Sequence, residues 1–151
     1  MAKEFDGLRS LSENKQVVLR WTDEVLNQGK VDVVDELFAQ DFSWTMPFNH
    51  EPLRGPEAIK ETVSGFRTAF SNFAVDVEDV IAEGDQVALK YTASGTNDGE
   101  LMGAPATGES AAWRVMHIFR LRDGKIVEDV TILDRMDLME QLGQVQSPQG
   151  V

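Results

Sequence analysis

The chain has 151 residues, of which 42% are hydrophobic and 26% charged, and this composition predicts a single globular domain large enough to enclose a cavity. Its net charge of −12 does not fit a nucleic-acid binder, and its lack of cysteine excludes disulfides, thiolate metal sites and a thiol nucleophile. The N-terminus has no signal-peptide run and no segment approaches the ~20 apolar residues of a membrane span, so we expect a cytoplasmic protein with neither nucleic-acid nor membrane partners.

The first elements in chain order are predicted to be helices. One helix with apolar residues at helical spacing ends at Asn27-Gln28-Gly29. Its apolar residues are Val17, Val18, Trp21, Val25 and Leu26. Asp32 is then placed to cap a second, short helix. That helix would carry Val33, Val34, Leu37 and Phe38. We expect residues 1–11, and residues 144–151 at the other end, to be mobile tails outside the domain.

The apolar period then changes from that of a helix to that of a strand. Large apolar residues alternate with smaller ones, which predicts a strand with one apolar face. They are Phe42, Trp44, Met46 and Phe48. Because Pro47 cannot donate to a ladder, this strand should lie at an edge or end there. Pro56 opens a third helix at its first helical position. The buried stripe of that helix would be Ile59, Val63, Phe66 and Phe70.

Four strands with short connections are predicted to follow. The first two are 73–82 and 86–96, and the last two form a ribbon between Trp113 and Asp134. A short helix, 136–142, ends the domain at Gly143. Helices gathered early and antiparallel strands later predict an α+β domain, in which a curved sheet covered by helices can leave a pocket between the layers.

The ribbon contains the one mid-strand histidine of the sequence, His117, and its turn allows two registers. A two-residue Asp123-Gly124 loop places His117 opposite Val130. A three-residue loop, with Gly124 left-handed in a bulge, places His117 opposite Asp129. Because a slip of one residue moves every side chain to the other face of the sheet, the register decides which residues share a face with His117.

From about Asp41 to Gly143 the sequence resembles the SnoaL-like polyketide cyclase family, within the nuclear-transport-factor-2-like superfamily. The similarity is carried by VEDVIAEGDQVALKYTASGTNDGELMGAPATGE, HIFRLRDGKIVED and MDLMEQLG. It implies a cone-shaped, curved antiparallel or mixed β-sheet packed against three N-terminal helices and enclosing a deep apolar pocket. It also implies a homodimer formed through the outer face of the sheet. On this resemblance we adopt the three-residue turn, with Asp129 opposite His117.

The resemblance also implies a chemistry. Cyclases of this family close a polyketide ring by an aldol reaction in which pocket residues move the proton, without metal or cofactor. The family's histidine on the penultimate strand falls at His117. Its last-strand His-Trp-Asp run falls at Asp129-Val130-Thr131, so Thr131, which does not ionise, occupies the position of the acid–base aspartate. The histidine of its Gly-Thr-His motif is Asn97 here.

His117 and Asp129 are the candidate catalytic residues. A carboxylate beside an imidazole can orient the ring, and a histidine, with an ordinary pKa of ~6.5, is suited to carry protons near neutral pH. Alternatively, His117 is a core histidine satisfied by Asp129 and a backbone group, and Asp129 forms an ion pair with Arg114 or Arg120. The candidate substrate-binding residues, which could equally be plain core or strand residues, are Trp44, Phe48, Tyr91, Trp113 and Thr131.

Three functions remain open on these residues. The first is a cofactor-free enzyme that performs aldol cyclisation or isomerisation on a small apolar carbonyl compound. The second, motivated by Thr131, is a non-catalytic domain that binds a hydrophobic metabolite. The third is an interaction module whose interior is filled by side chains. Metal binding is not expected, because the sequence has two separated histidines and no cysteine.

Overall fold

The computed structural model describes residues 2–47 and 49–144, with side chains from residue 10 onward. Its helices are α1 (Ala2–Arg20), α2 (Val34–Leu37), α3 (Pro56–Ala69) and α4 (Arg135–Gln141), with a π-helical turn at Trp21–Asn27 and a 3₁₀ turn at Val31–Val33. Its strands are β1 (Phe38–Thr45), β2 (Leu53–Arg54), β3 (Phe70–Glu83), β4 (Gln86–Asn97), β5 (Ser110–Arg122) and β6 (Lys125–Leu133). The order of these elements confirms the predicted α+β class.

Within the described residues, one six-stranded sheet has the order β2-β1-β6-β5-β4-β3. The pair β1–β6 is parallel and the other neighbours are antiparallel, which confirms a mixed sheet. Along β5 buried and exposed residues alternate, as expected for a strand with one covered and one uncovered face. The inner face carries the core, against which the π-helical turn, α1 and α3 pack. None of the helices in the described part is long and apolar enough to cross a membrane.

The N-terminal helix is longer than its apolar pattern indicates. Helix α1 begins at Ala2, so the part of the expected tail after Met1 is helical, and its mobility stays a prediction. This segment is rich in residues with high helix propensity, such as Lys, Glu and Leu, and it therefore does not need an apolar stripe to be helical. The other expected tail begins with Gln144, and its remaining residues, 145–151, lie outside the described residues.

The π-helical turn that follows α1 is anchored to both layers. The side chain of Asn27 accepts a hydrogen bond from Val75 N (2.7 Å) and donates one to Val75 O (3.0 Å), as a neighbouring strand would. Arg67 on α3 donates to the carbonyls of Leu26 (2.6 Å) and Asn27 (3.0 Å), which are left without partners at the helix end. These bonds hold the indole of Trp21 against the inner face of the sheet.

Asp32 does not cap the second helix as predicted. The chain enters this helix through the 3₁₀ turn, in which Val33 N donates to Lys30 O (3.1 Å), so Asp32 lies inside the turn rather than before it. Phe38, assigned to that helix from the sequence, instead begins β1. The expectations for the two prolines are confirmed, since β1 ends at Thr45 before Pro47 and Pro56 is the first residue of α3.

The predicted register of the β5–β6 hairpin was wrong. Its turn is the two-residue Asp123-Gly124 loop, and both residues have positive φ (52° and 78°), the conformation that Asp-Gly favours in tight hairpins. A bulge at Val127, between the pairs Leu121–Ile126 and Arg120–Glu128, then shifts the ladder by one residue. His117 consequently lies opposite Thr131.

The bulge also changes which residues of β6 face inward. Without it, Ile126 and Asp129 would lie on opposite faces, because side chains alternate along a strand. With the extra residue at Val127, both are buried, with exposed fractions of 0% and 1%. Asp129 therefore lies on the inner face with His117, but diagonally across the ladder rather than directly opposite.

Candidate active site

A cavity of about 360 Å³ lies between the inner face of the sheet and the helices. This volume is within the range of roughly 300–1,000 Å³ that is usual for small-molecule pockets. Most of its wall is apolar. Glu100 and Met102, in the loop after β4, are exposed to solvent and also line the cavity, so it opens beside that loop.

The cavity brings together most of the predicted site residues. Those that line it are Trp44, Tyr91, Trp113, His117 and Thr131. Asp129 is not among the lining residues, because it lies behind His117. Phe48 lies outside the described residues. The cavity reaches His117, which argues against the interaction module with a filled interior.

His117 is hydrogen-bonded at both ring nitrogens. Its Nδ1 lies 2.9 Å from Oδ1 and 3.0 Å from Oδ2 of Asp129. Its Nε2 lies 3.0 Å from the hydroxyl of Tyr91, not next to a backbone group. Arg120 pairs instead with Asp85 and Glu128, and the hydrogen-bond partner of Asp129 is His117. The carboxylate, imidazole and phenol thus form a continuous chain from the buried sheet to the cavity.

The hydrogen-bond donors in this chain follow from what each group can do. A carboxylate accepts only, so Nδ1 carries the hydrogen that faces Asp129. The neutral imidazole then has a free electron pair at Nε2, which accepts from the hydroxyl of Tyr91. The arrangement matches the carboxylate–imidazole–hydroxyl order of hydrolase triads, with a phenol in place of the serine.

Thr131 stabilises this chain from the side. Its hydroxyl accepts from Nε1 of Trp44 (2.8 Å) and donates to Oδ1 of Asp129 (3.0 Å), and it also lies 2.9 Å from His117 Nδ1. The hydroxyl thus accepts one hydrogen bond and donates one, next to the Nδ1–Asp129 contact. Thr131 therefore orients the carboxylate and the imidazole, while its own hydrogen is already committed to Asp129.

Aromatic rings restrict the imidazole. Phe119 stacks on it at 4.9 Å with the planes 8° apart, and the edge of Trp21 meets it at 5.0 Å. The ring of Tyr91 lies 5.4 Å away at a tilt of 29°. His117 is 3% exposed. These contacts leave the imidazole little freedom to rotate, so its Nε2 stays directed toward Tyr91.

Trp21 is not among the predicted site residues, and Asn49, which ends the first predicted strand near a possible pocket mouth, is expected from the sequence to be a surface loop residue. Both line the cavity, and Nε1 of Trp21 and Nδ2 of Asn49 are buried donors without a hydrogen-bond partner in the described part of the chain. Trp21 has the helical spacing of an ordinary core residue, and Asn49 has the sequence context of a surface loop. His50 beside it is exposed.

Asn97 has a structural role away from the cavity lining. Its amide donates to the carbonyls of Ala69 (3.2 Å) and Gly99 (2.8 Å), and its Oδ1 accepts from Thr107 N (3.0 Å). These bonds fasten the loop after β4 to the end of α3. Among the residues the structure describes, no three His, Cys, Asp or Glu side chains come together as metal ligands.

The phenol of Tyr91 is expected to make the protein less stable in alkali. Burial, and then the negative charge of Asp129, raise the pKa of Tyr91 well above its usual value. Above about pH 10 the unfolded chain loses this proton while the folded protein keeps it, so the free energy of unfolding should fall by ~1.4 kcal/mol per pH unit. Below about pH 10 this group contributes no pH dependence.

Urea unfolding at a series of alkaline pH values, followed by circular dichroism, measures this slope. The variant Tyr91→Phe serves as the control, because it retains every other titrating group. Since Tyr91 is the one tyrosine of the sequence, phenolate absorbance reports its ionisation directly. Equal slopes for both proteins, or phenolate absorbance that rises near pH ~10 without unfolding, would contradict the burial effect.

A model of the family described as SnoaL-like polyketide cyclase matches residues 16–142 of this chain. The aklanonic acid methyl ester cyclase of Streptomyces peucetius is 35% identical over 124 residues, which are 80% of this chain and 85% of that protein. The nogalonic acid methyl ester cyclase of Streptomyces nogalater is 31% identical over 118 residues, or 78% of this chain and 88% of that protein.

Solved structures give the same result. A crystal structure from Jannaschia sp. CCS1, described as a SnoaL-like polyketide cyclase, has a TM-score of 0.81 and 27% identity. The similarity covers 91% of this chain and 94% of that one. Fold and sequence therefore point to the same group of proteins over most of the chain.

Proposed function

Because this chain belongs to the SnoaL-like polyketide cyclase family, we propose that it closes a ring in a polyketide by an intramolecular aldol reaction, without a cofactor, in the cavity at His117. The observation that carries this proposal is the His117–Asp129 pair at 2.9 Å, whose second ring nitrogen is directed toward the cavity side. A buried imidazole oriented by a carboxylate is a general base in the correct tautomer.

The aldol reaction requires one proton to be removed and one to be supplied. A carbon next to a carbonyl loses a proton and His117 gains one, while the electron pair of the broken bond forms an enolate. The enolate carbon bonds to a second carbonyl carbon of the same molecule, whose oxygen becomes an alkoxide. The proton held on His117 returns to this alkoxide, so the enzyme is restored and no atom is lost. Asp129, which lies behind the imidazole, acts as a positioning residue.

The cavity fits a neutral, apolar substrate better than an acid. Its lining contains no Lys or Arg in the described part of the chain, and its one charged residue there is Glu100. A free carboxylate would be buried without a cation, which costs several kcal/mol. We therefore propose a polyketide carboxylic acid methyl ester, the substrate class named for the two Streptomyces relatives. The unpartnered donors of Trp21 and Asn49 support a carbonyl-rich ligand.

Incubation of the protein with aklanonic acid methyl ester and with nogalonic acid methyl ester tests this function. An intramolecular aldol addition conserves mass, so the product is identified by its chromatographic retention and by carbon NMR rather than by mass alone. Binding is followed separately by tryptophan fluorescence, because all three tryptophans of the chain line the cavity. Binding without conversion of either ester would instead support the non-catalytic binding domain.

We also propose a homodimer formed through the outer face of the sheet. Large apolar residues on this face are 45–63% exposed; those on β5 and β6 pair directly in the ladder, and Ile81 on β3 is separated from Ile118 by Ala88. This outer patch consists of Ile81, Met116, Ile118, Val130 and Ile132. Contiguous exposed apolar surface on a sheet favours a protein interface, and a patch near the middle of a sheet can meet its own copy about a two-fold axis.

The variant Ile118→Lys should convert the dimer to a monomer. It places a charge at the centre of the outer patch, where the two copies would bring like charges together in a desolvated contact. Sedimentation velocity of the variant and the wild type measures the change. Met102→Lys is the matched control, since Met102 is also about half exposed (49%) but lies in the loop after β4. A wild-type monomer at all concentrations would rule out the dimer.

A further inference from the structure

The group that contacts the reacting atoms is still to be identified. In the folded protein Nε2 of His117 is already engaged, because the hydroxyl of Tyr91 lies 3.0 Å from it and is its donor when Nδ1 carries the imidazole hydrogen. The hydroxyl of Thr131 is committed to Asp129, and Asp129 does not line the cavity. A substrate proton therefore meets Tyr91 on the way to His117.

Few other groups at the cavity can exchange a proton. Apart from His117 and Tyr91, the described lining residues include one further ionisable group, Glu100. Glu100 is exposed at the opening, in the loop after β4 rather than on the sheet. Tyr91 by contrast is buried on β4 beside β5, where its neighbour in the ladder is Val115 and His117 lies diagonally across.

We propose that Tyr91 is a catalytic residue, whose hydroxyl passes the proton between substrate and His117 in both directions. This inference rests on the proposed cyclase function and adds the atom that touches the substrate. In the first step Oη of Tyr91 receives the proton from the substrate carbon as its own hydrogen moves to Nε2 of His117. The carbon–hydrogen electron pair stays on the substrate as the enolate.

The second step reverses the direction of the relay. The new alkoxide takes the hydrogen of Oη, and Nε2 of His117 returns its hydrogen to Oη. One carbon–hydrogen bond has been replaced by one oxygen–hydrogen bond, and both side chains regain their starting protonation. At the intermediate stage the hydrogen bond between the two residues points from Nε2 to Oη, while the phenol donates to the oxygen of the carbonyl group whose carbon forms the new bond.

The geometry is already arranged for this relay. The two rings are held in place by stacking, 5.4 Å apart, and Phe119 prevents the imidazole from turning away. Burial keeps the phenol protonated in the resting protein, so it begins as a hydrogen-bond donor. Asp129 stabilises the imidazolium that exists between the two steps, as in a hydrolase triad.

The variant Tyr91→Phe tests the relay, because it removes one oxygen atom and keeps the ring. With aklanonic acid methyl ester as the probe, we expect kcat to fall by ~10²–10⁴-fold with little change in the dissociation constant from tryptophan fluorescence. If His117 instead takes the substrate proton directly, removing the hydroxyl uncovers Nε2, and kcat should stay the same or rise. That result would overturn the role of Tyr91 and leave the function of His117 standing.

Comparison with His117→Gln separates the two proposals. Loss of turnover in both variants supports the relay, and loss in His117→Gln alone removes Tyr91 from the mechanism. Turnover that survives both changes, or a wild type that converts neither ester, overturns the proposed function and the relay with it.

A proton inventory measures how kcat of the wild type depends on the deuterium fraction of the solvent. A purely structural role of Tyr91 would not affect this dependence. Because the experiment uses the wild type, it tests the relay even if Tyr91→Phe does not fold. The relay moves the exchangeable hydrogens of Oη and Nε2 together. The dependence of kcat on the deuterium fraction of the solvent should therefore be curved. A linear dependence or no solvent isotope effect, for a reaction limited by its chemical step, contradicts the relay.

Discussion

Replacing His117 with glutamine is expected to lower kcat by ~10²–10⁴-fold, the usual contribution of a positioned general base. Glutamine can donate to Asp129 and remain near Tyr91, but its amide cannot take up a proton at neutral pH. Because His117 is one of many residues that line a mostly apolar cavity, ester binding should change much less than turnover. Turnover of aklanonic acid methyl ester and quenching of tryptophan fluorescence measure the two effects separately.

His50→Gln is the matched control for this variant. His50 is the second of the two histidines, and it is exposed to solvent in the segment after β1. The control should keep wild-type kcat, which shows that any loss is specific to the buried imidazole. Wild-type turnover in His117→Gln would exclude His117 as the proton carrier, and the cyclase reaction would then need another base.

Replacing Asp129 with asparagine should have an effect of similar size for a different reason. The carboxylate accepts at both oxygens, which keeps the hydrogen of His117 on Nδ1 and leaves Nε2 free to accept. An amide that turns its NH₂ group toward Nδ1 forces the other tautomer, in which Nε2 carries the hydrogen. In a Ser-His-Asp triad the equivalent change lowers kcat by about 10⁴. We expect a loss of ~10²–10⁴-fold here.

The fold should tolerate this change better than a truncation of Asp129. Asparagine has nearly the same shape, and it can still bond to Thr131 and His117, so the buried site stays filled and hydrogen-bonded. Urea unfolding of the variant provides the check that activity is lost without unfolding. Asp79→Asn is the control, because Asp79 is 61% exposed and contacts Lys90 on the outer face. Full activity in Asp129→Asn would mean that tautomer control does not contribute.

Much of the site could be predicted from one strand. The alternation of apolar and polar residues along β5 places Trp113, Val115, His117 and Phe119 on a single face, and the structure buries all four. Alternation in β6 places Asp129 and Thr131 on one common face, but it does not decide whether that is the face of His117. Alternation does not predict the register, that is, which residues of two paired strands lie opposite each other. The register also depends on the position of a bulge.

The hairpin shows this limit in particular residues. Asp123-Gly124 is a strong local signal for a two-residue turn, and the structure has that turn. The bulge at Val127 has no comparable local signal, since it depends on how Ile126 and Asp129 pack in the interior. The predicted register was wrong because it placed the extra residue in the turn, as a three-residue loop, instead of in β6 at Val127.

By itself the sequence determined the element order, the α+β class and the family. These follow from local periodicity and turn chemistry, or from similarity along the chain. Tertiary structure alone decided that Tyr91 covers Nε2 of His117, that Asp129 lies behind the imidazole and that Trp21 packs against it. Such contacts join residues distant in sequence, and they depend on strand register and on the helix layer above the sheet. The chemistry of the site therefore follows from how β4, β5 and β6 align beneath the π-helical turn, and no single segment of the chain encodes that alignment.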